Sequence, residues 1–363
     1  MNTLRLEIDL DKIQHNAKTI VDICNKKDIN VAGVTKGVAG MPEVARAMLK
    51  GGVTHLADAR IINIKKIKKA KLKAPTMLIR IPRVSRSREV VKYFDVSLMS
   101  EWKVIQAIDK EASNKGVKHD IILMVDLGDL REGLMIDQVI PMIKRIISLK
   151  GINLRGVGTN LGCYGGILPT KEKMQQLVDL VTKIQERFDI TIPLISAGGT
   201  NCLPLVIKGE MPKEVNHLRI GEAILLGRES TSNTLIPGTY QDTFTLISEI
   251  IEIKEKPSIP IGKVGKDAFG NTPKFKDLGV RKRAIIALGK QDVILSGLKP
   301  MDDNIKILGG SSDQIIIDIT ESTIKYEIGQ EIKFKLLYPS LLSAVTSPYV
   351  LHYIKEDEQW IKI

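Results

Sequence analysis

The sequence predicts an α/β fold, a (β/α)8 barrel, followed by a C-terminal all-β domain. Over roughly the first 230 residues, eight short apolar segments alternate with amphipathic helices at a spacing of about 20 to 40 residues, as an eight-stranded barrel requires. From about residue 235 the apolar segments become short and β-branched and are separated by turn residues, which indicates a β domain. An open doubly wound sheet is the alternative for the first part, but no glycine-rich dinucleotide fingerprint follows its first strand.

The individual elements follow from the spacing of apolar residues. A strand over residues 4–8 precedes an amphipathic helix over residues 9–24, whose apolar positions step by three and four. The eight barrel strands are predicted at residues 31–35, 53–57, 75–82, 94–100, 120–128, 152–160, 191–199 and 217–227. The helices between them are predicted at residues 42–50, 59–72, 101–112, 138–149 and 171–188.

Two domains follow from this order of elements. We predict a barrel domain over residues 1–232 and a β domain over residues 233–363, with the alternative that the N-terminal strand joins the β domain. Within the β domain, residues 256–283 are rich in glycine, proline and lysine and are predicted as loops.

Composition limits the classes of protein to consider. The chain has 363 residues, 43% of them hydrophobic, enough for a large core and about two domains. Its N-terminus has no apolar signal region, and no apolar run approaches the roughly 18 residues that span a bilayer. We therefore expect a cytoplasmic protein without a membrane partner. Three separated cysteines and five scattered histidines predict neither a disulfide framework nor a metal site.

The net charge of +12 raises the question of nucleic acid. The basic residues are spread over many segments, and the dense run at residues 65–73 alternates with apolar residues, as on one face of an amphipathic helix. Only 4% of residues are aromatic, and no nucleic-acid-binding motif is present. We expect no nucleic-acid partner, because a basic surface and an anionic cofactor account for the charge equally well.

One lysine stands out at the end of an apolar strand. The strand at residues 31–35 leads directly to Lys36, and the chain then breaks at Gly37 and Gly40. Small neighbours leave room for a large ligand, and burial would lower the pKa of the amine toward the neutral form that Schiff-base chemistry needs. The alternative is a lysine whose ammonium simply reaches solvent from a strand end.

The active site of such a barrel lies at the carboxyl ends of its strands, so the polar residues there form one candidate site. SAGGTN at residues 196–201 offers backbone amides and hydroxyls for a phosphate, although an ordinary strand-to-helix turn would read the same way. Together, Lys36, a phosphate cradle at residues 196–201 and the strand-end arginine Arg219 suggest pyridoxal phosphate. The polar residues at these strand ends are Lys36, Asp58, Arg60, Arg80, Asp126, Arg131, Thr159, Asn160, residues 196–201 and residues 219–222.

The motifs at these positions resemble those of the alanine racemase-type, fold-III pyridoxal phosphate enzymes. The resemblance implies that Lys36 carries the cofactor as a Schiff base and that Arg131 helps to bind the substrate carboxylate. It further implies a cofactor site made of Lys36, Asn160, Ser196, Gly199, Thr200, Arg219, Gly221 and Tyr349, and places Ser312 and Asp313 at the substrate. The segments that carry it are residues 5–20, 31–40, 125–134, 158–162, 196–200, 219–227, 311–320 and 347–350.

The sequence departs from the family at the second catalytic base. Members remove and return the Cα proton with the cofactor lysine on one face and a tyrosine of the neighbouring subunit on the other. Here Lys290 occupies the place of that tyrosine, and the tyrosine that usually follows the cofactor lysine is missing near Gly40. Asn160 stands where a histidine is common. The resemblance thus implies Lys36 and Lys290 as catalytic residues, in a homodimer with shared active sites.

The resemblance implies an amino-acid racemase. The members whose sequences are most similar act on ornithine, as judged by the segments SAGGTN, HLRIGEAILLGRE and GKQDV. Lysine and alanine are alternative substrates. A basic-amino-acid decarboxylase, a D-threonine-type aldolase and a non-catalytic cofactor carrier are alternative functions.

A substrate ammonium needs a carboxylate when it is buried. Asp126 and Asp129 could instead pair with Arg131. The carboxylates near the predicted barrel mouth are Asp126, Asp129, Glu222 and Asp313.

Overall fold

The computed structural model describes residues 4–356 and 359–363, which form two compact units. One unit is Leu10–Tyr240, and the other combines the N-terminal strand β1 (Arg5–Ile8) with Gln241–Ile363.

The first unit is a closed barrel of parallel strands, which confirms the predicted fold class. The barrel order is β2 to β9 without interruption, and β2 closes the ring by pairing with β9. Two short strands, β10 and β11, pair with each other after the barrel. The strands are β2 (Asn30–Val34), β3 (His55–Asp58), β4 (Thr76–Leu78), β5 (Val96–Met99), β6 (His119–Val125), β7 (Ile152–Thr159), β8 (Leu194–Ser196), β9 (His217–Ile220), β10 (Arg228–Glu229) and β11 (Thr234–Leu235).

Helices connect successive barrel strands. Pro42 opens α2, where its missing N–H is not needed. Gly51 ends α2 against α1, because a Cβ at Gly51 would lie 2.4 Å from the Cβ of Ala17. The α-helices are α1 (Leu10–Asn25), α2 (Pro42–Lys50), α3 (Ile61–Lys69), α4 (Ser87–Tyr93), α5 (Trp102–Asn114), α6 (Ile136–Ile146), α7 (Lys171–Phe188), α8 (Leu203–Lys208) and α9 (Glu222–Leu226), with 3-10 turns at Lys36–Val38, Val84–Arg86 and Thr200–Cys202.

The barrel core is built by apolar residues at every second position of neighbouring strands. This alternation is the period of two expected when one face of each strand is buried in a common core. The buried cluster contains Ala32, Val34, Ala57, Met77, Val96, Leu98, Ile122 and Met124.

The second unit is a mainly antiparallel sheet. β1 pairs antiparallel with β12 and parallel with β18, so the first strand of the chain belongs to this sheet. The main strand order is β15-β16-β13-β12-β1-β18-β19, and β17 pairs with both β12 and β14. The strands are β12 (Phe244–Pro257), β13 (Val280–Ile286), β14 (Leu298–Pro300), β15 (Lys306–Gly310), β16 (Ile315–Asp318), β17 (Glu331–Leu336), β18 (Leu351–Glu356) and β19 (Gln359–Lys362), with a 3-10 turn at Leu295–Gly297 and the helix α10 (Tyr338–Thr346).

Some predicted boundaries are wrong. The predicted strand at residues 191–199 shrinks to the three residues of β8, and the segment at residues 217–227 divides into β9 and α9 because Gly221 ends the strand. Both ends of the predicted loop at residues 256–283 are strand, since β12 and β13 pair as far as Pro257 and Val280. Among the described residues, no helix combines the length and the apolar character that crossing a bilayer requires.

Candidate active site

Lys36 lies at the carboxyl end of β2, and its side chain is exposed rather than buried. The residue before it, Thr35, is fully buried and donates a hydrogen bond from Oγ1 to Oδ2 of Asp58 at 2.7 Å. Asp58 also accepts bonds from the amide of Arg60 and from Nδ2 of Asn63. Burial raises the pKa of the Asp58 carboxyl in spite of these bonds. The network joins the ends of β2 and β3 and so fixes the backbone from which Lys36 projects.

Arg219 is the buried cation at the end of β9. The residue is 5% exposed, and its guanidinium donates hydrogen bonds from Nη1 to Oγ of Ser196 and from Nη2 to the carbonyl of Thr159, the latter at 2.8 Å. Within the described residues it has no carboxylate partner. Burial lowers the pKa of Arg219 to about 10, so the guanidinium remains charged at neutral pH. A buried guanidinium of this kind can donate a hydrogen bond to an electron-rich atom of a ligand.

The turn after β8, where the sequence predicts an anion site, presents backbone amides. In the part of the chain that the structure describes, the amides of Gly199, Thr200 and Gly221 have no acceptor. Thr200 Oγ1 accepts a bond from the amide of Ala223, which ties this turn to the start of α9. A Cβ at Gly221 would lie 3.1 Å from the Cβ of Val34, so Gly221 stands beside the strand that carries Lys36. Free amides on two adjacent turns suit a phosphate.

The turn after β6 contains Asp126 and Asp129, which are used differently. Oδ1 of Asp126 accepts hydrogen bonds from the amides of Gly128 and Leu130, at 2.7 and 3.1 Å. Its Oδ2 accepts none from residues 4–356 and 359–363, although the residue is 7% exposed.

Both oxygens of Asp129 are occupied. They accept the amides of four residues in the turn after β7, which are Cys163, Tyr164, Gly165 and Ile167. Burial acts to raise the pKa of Asp129, but these amide bonds outweigh it and lower the pKa. Asp129 therefore holds the turn after β7 in place.

The other residues predicted in these turns pair locally. Arg131 forms an ion pair with Glu132, and among the described residues it forms none with Asp126 or Asp129. Nδ2 of Asn160 donates to Sγ of Cys163 at 3.1 Å.

Glu222, at the start of α9, is half-buried and accepts a hydrogen bond from Oγ of Ser230. Burial raises the pKa of the Glu222 carboxyl.

In the second unit the structure brings two predicted segments together. The amide of Lys290 donates to the carbonyl of Ser311, and the amide of Gln291 donates to the carbonyl of Ser312. Nε2 of Gln291 donates to Oδ1 of Asp313 at 2.9 Å. Lys290 and the Ser312–Asp313 turn are therefore neighbours.

Tyr349 is linked to the same region through Asp292. Oδ1 of Asp292 accepts from Oγ of Ser347, and that same hydroxyl accepts from the amide of Tyr349 at 3.2 Å. The Tyr349 side chain is 60% exposed.

The Lys290 ammonium has partners inside its own unit. Its Nζ lies 3.9 Å from Oδ2 of Asp267 and 4.0 Å from the centre of the Phe269 ring. The ammonium of Lys290 therefore lies between a carboxylate and an aromatic face.

Two further arginines predicted at strand ends, Arg60 and Arg80, share one cavity. They line a cavity of about 190 Å³ together with Arg83 and Arg86 and with apolar side chains of α3 and α4. Arg86 forms an ion pair with Glu89. In residues 4–356 and 359–363, no group of three or more His, Cys, Asp or Glu side chains is arranged to hold a metal ion.

Comparison with known proteins places this arrangement in a family. The model of the alanine racemase N-terminal domain matches residues 8–229. The chain belongs to the alanine racemase family. It is accordingly an amino-acid racemase that depends on pyridoxal phosphate. The expected alternatives of a decarboxylase, an aldolase and a cofactor carrier are set aside.

Two relatives within the racemases match nearly the whole chain. The chain is 41% identical to the ornithine racemase of Acetoanaerobium sticklandii, over 95% of this chain and 98% of that protein. It is also 41% identical to the lysine racemase of Thermotoga maritima, over 95% of this chain and 97% of that protein. The alanine racemase of Clostridium difficile 630 has the same fold, with a TM-score of 0.75 over 99% of this chain and 98% of that chain, at 18% identity.

The residues present fit the cofactor of this racemase family. The free amides suit its phosphate, the buried guanidinium of Arg219 suits an unprotonated ring nitrogen, and the exposed Lys36 amine is accessible.

Sequence reasoning missed His217, whose Nδ1 lies 2.8 Å from Oγ of Ser196 beside Arg219, and the different hydrogen bonding of Asp126 and Asp129. His217 stands two residues before Arg219 in an apolar strand, and that placement of a second polar side chain is the signal that could have found it.

Proposed function

We propose that this racemase interconverts L- and D-ornithine. The observation that carries the proposal is the 41% identity to an ornithine racemase over almost the full length of both chains. The lysine racemase at the same identity supports the broader class of basic amino acids. A side chain that ends in an ammonium is common to both substrates.

We assign the cofactor contacts to residues at the carboxyl ends of the barrel strands. When bound, pyridoxal phosphate withdraws electrons from the amino acid and makes its Cα proton acidic. Lys36 would hold the cofactor covalently, and Arg219 would donate to its ring nitrogen. The other residues assigned to the cofactor are Asn160, Gly199, Thr200, Gly221 and Tyr349. The expected cofactor residue Ser196 is fully buried and bonds to Arg219 instead.

Racemisation needs a proton to leave one face of Cα and return on the other. We assign Lys36 to one face and Lys290 of a neighbouring subunit to the other. Lys290 lies beside Asp267 and Phe269, so it would have to leave these partners, or pass its proton on, in order to act as a base. The assignment implies a homodimer in which each subunit completes the other's active site.

Substrate charges need partners of opposite sign. Arg131 is assigned to the α-carboxylate and Asp126 to the side-chain ammonium. Oδ2 of Asp126 is the support for this choice, because it accepts no hydrogen bond among the described residues, whereas both oxygens of Asp129 are occupied. Ser312 and Asp313 are assigned to the substrate from the partner's β unit.

Chiral chromatography of the products from L-ornithine, L-lysine and L-alanine tests the proposal. Alanine would leave the carboxylate for the ammonium desolvated and unpaired. We therefore expect kcat/KM for ornithine to exceed that for alanine by at least about a hundredfold, or roughly 2.7 kcal/mol. Equal rates for the two, or a preference for alanine, would remove ornithine from the proposal.

Lysine is the second candidate substrate, and the similarity to the Thermotoga maritima enzyme favours it. It differs from ornithine by one methylene group, which binding distinguishes by only about 10- to 200-fold. The same chromatographic assay therefore ranks the two, and a faster reaction with lysine would exchange their places.

A further inference from the structure

Arg219 is one end of a buried chain of hydrogen bonds. Its Nη1 donates to Oγ of Ser196, and the same Oγ lies 2.8 Å from Nδ1 of His217. Ser196 is fully buried, and His217 and Arg219 are 1% and 5% exposed. The chain therefore links β8 and β9 out of contact with solvent.

The single hydroxyl proton of Ser196 fixes the direction of this chain. Since Ser196 Oγ accepts from a guanidinium, which has no acceptor of its own, its proton is left for Nδ1 of His217. Nδ1 must then be the acceptor, and the ring proton of His217 lies on Nε2. Burial, and then the charge of Arg219, lower the pKa of His217 well below its usual value, which agrees with a neutral ring.

This chain of hydrogen bonds ends in an unpaired polar atom, and the loss of stability that this atom causes is not explained by folding alone. Nε2 of His217 is buried and has no hydrogen-bond partner among the described residues. An unpaired buried N–H destabilises a protein, and an apolar side chain in this position would avoid that penalty. A functional role for the Nδ1 acceptor accounts for the presence of a histidine at this position.

We propose that His217, acting through Ser196, is a positioning residue that fixes the guanidinium of Arg219 in the orientation needed at the cofactor ring nitrogen. The inference rests on the role assigned to Arg219 under the proposed function. The acceptor at Nδ1 holds the Ser196 proton away from Arg219, so that the serine lone pairs face the guanidinium. Without His217 the hydroxyl can rotate, and Arg219 loses one of its two anchors.

The barrel contains a matched pair for comparison. Ser97 on β5 and His119 on β6 are buried and lie 2.9 Å apart between Oγ and Nε2. No arginine donates to Ser97 among the residues described. Ser97→Ala therefore removes a buried serine–histidine bond from the barrel without touching Arg219.

The test compares Ser196→Ala, Ser196→Thr and His217→Phe with Ser97→Ala. We expect Ser196→Ala and His217→Phe to shift the absorption spectrum of the bound cofactor and to lower kcat about 10- to 100-fold, with KM changed less than about threefold. Ser196→Thr keeps the hydroxyl and should restore most of both properties. Ser97→Ala should leave the spectrum unchanged and kcat within about twofold. Spectra and kcat of Ser196→Ala equal to those of Ser97→Ala would overturn the proposal.

Two further measurements keep the test decisive. Nitrogen-15 spectra of the histidine-labelled holoenzyme should show His217 neutral with its proton on Nε2, and a proton on Nδ1 would overturn the proposal without any variant. Arg219→Gln distinguishes the positioning role of His217 from the role assigned to Arg219 at the cofactor ring nitrogen. If Arg219→Gln changes the spectrum but the Ser196 and His217 variants do not, only the positioning role fails. If Arg219→Gln changes nothing, the role of Arg219 fails as well.

Discussion

Asp126 and Asp129 stand three residues apart in one turn, yet their surroundings give them different uses. Both oxygens of Asp129 accept hydrogen bonds from backbone amides, whereas one oxygen of Asp126 has no partner among the described residues. The sequence places both at the barrel mouth but cannot separate them, because the amides that occupy Asp129 come from a turn more than 30 residues away.

Asp126→Asn tests the assignment to the substrate ammonium. The amide keeps the acceptor for Gly128 and Leu130 but loses the charge, so kcat/KM for ornithine should fall about 10- to 100-fold while that for alanine changes little. Steady-state kinetics with both substrates measure this difference. An equal loss on both substrates would assign Asp126 to the structure of the turn instead.

Lys36→Ala tests the cofactor attachment. Borohydride reduction of the unmodified holoenzyme should fix the cofactor on the peptide that contains Lys36, and the variant should lose both this adduct and racemisation. Lys66→Ala is the control, since its ammonium donates to the carbonyl of Ala39 beside the same turn but is assigned no role. Full racemisation by Lys36→Ala without an added amine would refute the attachment.

The turn after β7 is an element that depends on one carboxylate. The pKa of Asp129 is lowered in the folded state, so its contribution to stability is present above the unfolded pKa of about 3.9 and is lost as the pH falls through the folded value. Hydrogen exchange should therefore show the amides of residues 163–167 losing protection in acid. Asp129→Asn should expose them at neutral pH, at a cost of about 1–3 kcal/mol. Unchanged protection in the variant would contradict this account.

At the scale of elements, the sequence predicts most of the barrel and less of the connections between its strands. The eight strands are recognisable because each combines apolar residues with turn residues at both ends. The short extent of β8 and the extension of β12 and β13 into the predicted loop depend on pairing between distant segments, which local composition does not encode. The Ser196–His217 bond is missed for the same reason, since it joins residues 21 positions apart.

At the scale of the whole molecule, the proposal is a homodimer whose subunits share their active sites. In the proposed homodimer each site takes Lys36 from one subunit and Lys290 from the other. Sedimentation should show a dimer at working concentration. Mixed Lys36→Ala and Lys290→Ala proteins, unfolded and refolded together, should recover about a quarter of the wild-type activity, because half of the dimers then contain one intact site. An active monomer, or no recovery from the mixture, would contradict shared sites.

The preference for ornithine is tested most directly by one competition experiment. Equal concentrations of L-ornithine, L-lysine and L-alanine are incubated with the holoenzyme in D2O, and the three Cα proton signals are followed by NMR. Because the substrates compete in one solution, the ratios of exchange rates give the ratios of kcat/KM. Ornithine should exchange first, at least about a hundredfold faster than alanine, and chiral chromatography of the same samples should show D-ornithine appearing in step. Alanine exchanging as fast as ornithine would contradict this preference.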